Sequence, residues 1–90
     1  MDKIQKGNNE FFISSEGKKA AFIQFEEHEK ELTITHTIVE EELRGQGIGG
    51  KLVDRVAEYA RENGKTIKPV CSYASHIMNK NNHYHDVLSS

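Results

Sequence analysis

The chain has 90 residues, a formal net charge of −2 at pH 7 and a hydrophobic fraction of 36%. That length holds one domain with a small core, 1–90, and leaves few apolar side chains to spare from packing. The near-neutral balance gives no reason to expect nucleic acid, and no stretch has the length and apolarity of a membrane span. Cys71 is the sole cysteine and cannot make an internal disulfide, which fits a reducing interior. The N-terminus lacks an apolar leader segment, so a soluble cytoplasmic protein is expected.

Met1 to Asn8 is polar and reads as a flexible arm. Asn9 to Ser15 is β-prone around Phe11-Phe12-Ile13, and Ser14 to Gly17 is a turn signal. Lys19 to Glu26 alternates, with Ala21, Ile23 and Phe25 on one face and Ala20, Phe22 and Gln24 on the other. After a polar turn at Glu27 to Lys30, Leu32 to Val39 alternates again. Leu32, Ile34, His36 and Ile38 share one face; Thr33, Thr35, Thr37 and Val39 share the other. The pattern predicts an antiparallel three-stranded meander.

Glu40-Glu41-Glu42 leads out of the sheet into Leu43-Arg44-Gly45-Gln46-Gly47-Ile48-Gly49-Gly50-Lys51-Leu52. Ile48, Leu52, Val53, Val56, Ala57 and Ala60 then recur at helical spacing, and Asn63-Gly64 is a helix stop. Thr66 to Cys71 reads as a strand, with Pro69 arguing for an edge-like position. Strand, helix and strand in this order form a right-handed crossover, so the last strand should run parallel to Thr33–Val39. Ser72 to Lys80 carries Tyr73, Ala74 and Ile77 at helical spacing, with Ser72 as the N-cap candidate. Asn81-Asn82 breaks it, and the tail from His83 to Leu88 offers Tyr84, Val87 and Leu88 for docking. The fold class is α/β (α+β), a mixed sheet whose meander joins a parallel strand through one long helix.

A glycine-rich turn that opens a helix presents unpaired backbone N–H groups and the positive end of the helix dipole, a cradle for phosphate. Three phosphate-binding patterns overlap here. Gly45 to Lys51 fits G-x-x-x-x-G-K, but Leu52 stands where a hydroxyl should hold Mg²⁺. Gly45, Gly47 and Gly50 fit the dinucleotide pattern G-x-G-x-x-G. No acidic residue follows at the end of the next strand, where Lys68, Pro69, Val70 and Cys71 stand. The third pattern is Arg44-x-x-Gly47-x-Gly49.

That third pattern resembles motif A of the GNAT acyltransferases, R/Q-x-x-G-x-G/A, and residues 10 to 80 resemble the central half of that fold in element order. The chain is similar to minimal GNAT-like proteins of about this length. The resemblance implies acetyl-CoA as co-substrate, with its pyrophosphate held by Arg44, Gly45, Gln46, Gly47, Ile48, Gly49 and Gly50. It implies that the backbone of Ile38 and Val39 holds the pantetheine arm and that the thioester arrives close to Cys71. The implied activity is N-acetyl transfer to an amine acceptor, small molecule or protein. A non-catalytic CoA-binding module is the alternative, because the elements that shape the acceptor site in GNAT enzymes are missing or vestigial here.

Candidate catalytic residues are Cys71 as nucleophile or exchanging thiol, Tyr73 as proton donor to the departing CoA thiolate, with Tyr84 as a substitute, and Glu40 as base. Each has a plainer role. A cysteine is commonly a small buried hydrophobe, a tyrosine packs, and Glu40 to Glu42 can be a solvated run. His36, on an apolar face, is more often a satisfied core histidine than a base. Cys71, His76, His83 and His85 match no compact zinc spacing, so no metal is expected.

Overall fold

The computed structural model describes residues 3–89. Five strands, β1 (Gln5–Gly7), β2 (Glu10–Ser15), β3 (Lys18–Glu27), β4 (Glu31–Val39) and β5 (Thr66–Pro69), form one sheet in sequence order. Helix α1 (Ile48–Glu62) connects β4 to β5, and α2 (Ser72–Lys80) follows β5. The first three pairings are antiparallel and β4–β5 is parallel, as the crossover requires.

Of the arm expected to be flexible, Met1 and Asp2 lie outside the described residues, but Gln5–Gly7 is a strand. It pairs Gln5 with Phe12 and Gly7 with Glu10 through a tight turn in which Asn9 has φ 59°. Asparagine tolerates that left-handed backbone. A three-residue edge strand is held by backbone bonds rather than by an apolar face, so hydrophobic periodicity does not reveal it.

The stripe predicted along α1 is the core. Leu52, Val53, Val56, Ala57 and Ala60 are fully buried against Phe11, Ile23, Phe25, Leu32, Ile34 and Ile67 of the sheet. Phe11, Phe25 and Tyr59 pack with ring centroids 5.7 to 6.0 Å apart. Tyr59 Oη donates to Glu27, and Lys65 Nζ donates to Glu27 at 2.8 Å and to the His28 carbonyl at 2.6 Å. This network ties the end of α1 to the β3–β4 hairpin.

β4 departs from simple alternation. Phe25 pairs with Ile34 but Gln24 pairs with His36, so Thr35 is an extra residue, a β-bulge. Beyond it the faces exchange. Thr37 and Val39 turn toward the α1 side, opposite Ile23 and Ala21, while His36 and Ile38 turn outward and are exposed. The expectation of a core histidine is therefore wrong. The bulge keeps an imidazole out of an apolar core that offers it no partner.

β5 stops at Pro69, short of the expected Cys71. The N–H groups of Val70 and Cys71 both donate to the Ile34 carbonyl, at 3.0 and 3.1 Å. The chain then turns into α2, whose N-cap is Cys71 and not Ser72.

The C-terminal tail docks as expected. Ile67 N–H donates to Val87 at 2.6 Å and Ser89 N–H donates to Ile67 at 2.8 Å. Tyr84 and Val87 are buried. Arg61 of α1 bonds Asp86 at 2.7 and 3.0 Å and the His83 carbonyl at 2.6 Å. Tyr84 Oη donates to Asp54 of α1. Burial, and then this bond, push the Tyr84 phenol above its ordinary pKa. Tyr84→Phe should cost about 1 kcal/mol of unfolding free energy at neutral pH, a hydrogen bond to a charge discounted because Asp54 is half exposed. The unfolded chain ionises this tyrosine near about pH 10 and the folded chain does not, so its contribution is present below that pH and lost above it. Urea unfolding at neutral pH and above about pH 10 should show the gap between wild type and variant narrowing as pH rises.

Candidate functional site

The glycine turn runs from a 3₁₀ turn at Glu41–Leu43 to the start of α1. Gly45 and Gly47 have φ of 84° and 72°, left-handed values that disfavour any side chain. Gly47 is the N-cap of α1, and no side chain caps the helix. The first hydrogen bond into the helix runs from Lys51 N–H to the Gly47 carbonyl at 3.1 Å. The N–H groups of Ile48, Gly49 and Gly50 precede it and have no helical carbonyl to reach. The first turn carries no acidic residue to compete for this electropositive end.

Gly49 has a different requirement. A Cβ there would collide with the phenol of Tyr73. The missing side chain lets α2 approach the start of α1, a structural return from one glycine that the sequence pattern alone does not reveal. Gly50 is helical, and a Cβ would meet open space.

Between β4 and β5 the sheet opens. The two strands pair only over Glu31–Ile34 and Thr66–Pro69, and β4 continues alone to Val39. A cavity of about 300 Å³ occupies this notch, lined by Thr37, Val39, Arg44 and Tyr73. Arg44 Nε donates to the Val39 carbonyl at 3.2 Å, so that carbonyl faces the notch rather than β3. Ile38 is in register with Phe22, and its side chain is on the outer face. Gln46 reaches back to the Glu42 carbonyl at 3.4 Å.

Cys71 is partly buried at the end of β5 and packs against the core. Its Sγ lies 3.6 Å from Thr37 Oγ1. Burial acts to raise the thiol pKa. Hydrogen bonds from the Ala74 backbone, the Thr37 hydroxyl and the Tyr73 and Thr37 backbone act against it, and together they hold the thiol below its ordinary value. The cause is local: Cys71 is the N-cap residue of α2, beside that helix's first N–H groups.

The structure thus gathers the glycine turn, Val39, Tyr73 and Cys71 around one notch. Glu40 stands at its upper margin as the cap of the 3₁₀ turn, exposed, its N–H bonded to the Ala20 carbonyl at 2.9 Å. Glu41 and Glu42 are exposed beside it, and Lys51 faces solvent. Tyr84 is committed to Asp54, away from the lining of the notch. Thr37 is the residue that the sequence does not reveal, because strict alternation puts it on the opposite face from Leu32 and Ile34. Among the described residues no group of three or more His, Cys, Asp or Glu is arranged to hold a metal, and no helix is long and apolar enough to cross a membrane.

Residues 10–87 match the family described as GCN5-related N-acetyl-transferase. An NMR structure from Staphylococcus aureus, described as GCN5-like, is 40% identical, with a TM-score of 0.83 over 98% of this chain and 88% of that one. The ribosomal-protein-S18-alanine N-acetyltransferase of Escherichia coli shares the fold at 20% identity and a TM-score of 0.66, over 83% of this chain and 53% of its own. A GNAT family N-acetyltransferase of Escherichia coli, solved in complex with CoA, shares it at 19% identity and a TM-score of 0.63, over 76% and 43%. Among curated protein sequences none matches. The match over most of the chain and the fold agree: this chain belongs to the GCN5-related N-acetyltransferase family.

Proposed function

We propose that the chain binds acetyl-CoA in the notch between β4 and β5 and transfers the acetyl group to an amine. One observation carries this reading: Thr37, Val39, Arg44 and Tyr73 line one cavity where β5 has parted from β4, with Gly49 at the start of α1 packed on Tyr73 and Cys71 Sγ 3.6 Å from Thr37 Oγ1. The pyrophosphate would accept hydrogen bonds from the N–H groups at Gly47 to Gly50, with Gly45 and Gln46 shaping the turn. Arg44 would exchange the Val39 carbonyl for a phosphate oxygen. The pantetheine arm would take that carbonyl and follow β4 past Val39 and Ile38. Its thioester would then come to Cys71.

Two routes give balanced chemistry. An amine can attack the thioester carbonyl directly, forming C–N as C–S breaks. Its proton passes to Glu40 through water, and Tyr73 protonates the departing CoA thiolate. Alternatively the Cys71 thiolate attacks and expels CoA thiolate, which Tyr73 protonates; the amine then attacks the Cys71 thioester, C–N forming as C–S breaks, its proton passing to Glu40 through water and the Cys71 thiolate being restored. The lowered thiol pKa favours the second route. A CoA-binding module without turnover is the other reading. It is favoured by the open outer side of the notch, where Val70 is 60% and Tyr73 45% exposed.

Calorimetric titration should show acetyl-CoA and CoA binding and ATP-Mg²⁺ binding at least about tenfold more weakly, since Leu52 supplies no metal ligand. Equal or tighter binding of ATP-Mg²⁺ overturns the ligand assignment. Hydrolysis of acetyl-CoA that persists with Cys71 intact and disappears in Cys71→Ala would favour an enzyme over a binding module.

Two glycine variants separate stability from binding. Gly50→Ala should stabilise the fold by about 0.5–1 kcal/mol, because a helical glycine loses more backbone entropy than alanine. It should nevertheless weaken CoA binding, as its Cβ stands where the phosphate approaches. Gly47→Ala should lose about 1–2 kcal/mol of stability from its left-handed backbone, and about 1–3 kcal/mol of CoA affinity with the lost charge-assisted bonds. Unaltered CoA affinity in both folded variants would count against the cradle.

Cys71 should also exchange with CoA disulfide faster than with glutathione disulfide, giving a Cys71–CoA adduct and one free CoA thiol. Mass spectrometry reads the adduct. An absence of any preference for CoA would remove the covalent route.

A further inference from the structure

The bulge at Thr35 has a chemical effect as well as a geometric one. Without it, Thr37 would share a face with Thr33 and point away from the α1 side. With it, Thr37 is opposite Ile23, partly buried, in the wall of the notch, with its Oγ1 3.6 Å from Cys71 Sγ. A valine would serve β4 equally well as a β-branched strand residue. What threonine adds is a hydroxyl, and the sulfur is its side-chain partner in the notch.

We propose that Thr37 is a positioning residue for Cys71. Its hydroxyl accepts from the thiol and, once the thiol proton has passed to solvent, rotates to donate to the thiolate, holding the sulfur at the mouth of the notch. A hydroxyl can play both parts because it carries one donor and two acceptor lone pairs. The other groups that lower the thiol are backbone N–H groups of Ala74 and Tyr73, at the start of α2, and of Thr37 itself, all fixed in direction. The Thr37 hydroxyl is the side-chain hydrogen bond among them, and it approaches from a different element. The titratable and charged groups that share the cavity wall are Tyr73, from α2, and Arg44, from the glycine turn, which is turned onto the Val39 carbonyl. The thiol is lowered by hydrogen bonds, without a charged partner among the causes. The proposal rests on the acyl-CoA reading for the purpose of the held sulfur, but not for the existence of the bond.

The experiment compares wild type, Thr37→Val and Thr37→Ser by the pH dependence of Cys71 alkylation with iodoacetamide, followed by mass spectrometry. Thr37→Val keeps the branched shape and removes the hydroxyl; Thr37→Ser keeps the hydroxyl. The midpoint of the alkylation profile should move up in Thr37→Val, with the rate at neutral pH falling by about threefold to tenfold, since one pKa unit is a tenfold change in thiolate. Thr37→Ser should stay within about twofold of wild type. Far-ultraviolet circular dichroism and thermal unfolding establish that the variants are folded. A wild-type midpoint in folded Thr37→Val overturns the proposal, and so does a Thr37→Ser profile that matches Thr37→Val, which would assign the effect to packing. The same three proteins are tested for exchange with CoA disulfide. If Thr37→Val shifts the midpoint while CoA disulfide shows no advantage in wild type, the hydrogen bond stands and the acyl-CoA reading fails instead.

Discussion

The carbonyl of Ile34 accepts two hydrogen bonds, from the N–H groups of Val70 and Cys71. That shared acceptor ends the parallel ladder. Pro69 just before it lies with its nitrogen on the other edge, the side on which Ile67 N–H bonds Val87, and past it β5 turns away while β4 runs on to Val39. The notch, the Val39 carbonyl left to Arg44 and the placement of Cys71 at the head of α2 all follow from this divergence. Open sheets of mixed α/β type bind ligands beyond the carboxyl ends of parallel strands for this reason: the backbone there is still directed but no longer paired.

Two helix starts converge on the notch. α1 opens with glycine and no capping side chain, and α2 opens with a thiol in the capping position. Both leave N–H groups at a helix start, where negative charge is favourable. Tyr73 packs on Gly49 and joins the two ends, so the geometry of the sulfur and of the phosphate cradle are mechanically linked. A short chain gains from this economy. The C-terminal tail contributes in the same way, since Tyr84, Asp86 and Val87 brace α1 and the edge of β5 and leave the notch to the other elements.

Membership in the GCN5-related N-acetyltransferase family is shown over residues 10–87, and the proposed acetyl-CoA site rests on the notch. The chain spans 53% and 43% of the two Escherichia coli enzymes whose fold it shares. Val70 and Tyr73 are exposed beside the notch.

Much of this was legible along the chain. The meander, the α1 stripe, the crossover and the glycine turn are local patterns: period-2 and period-3.6 burial, and glycines where the backbone must be left-handed. The nearness of Cys71 to the parting strands followed from topology, although β5 ends at Pro69 and Cys71 is the N-cap of α2. Three features were not legible. β1 is a polar edge strand recognised only by its partner, β2. The Thr35 bulge changes the facing of every later residue in β4, sending His36 outward and Thr37 inward, yet one added residue leaves no mark in composition. Gly49 serves Tyr73, which lies far along the chain and close in space. The sequence by itself determined which segments pair and which turn could cradle phosphate, because those depend on neighbours along the chain. Which hydroxyl meets the thiol was decided by the tertiary structure, because register and side-chain approach are set by contacts between strands that only the folded sheet brings together.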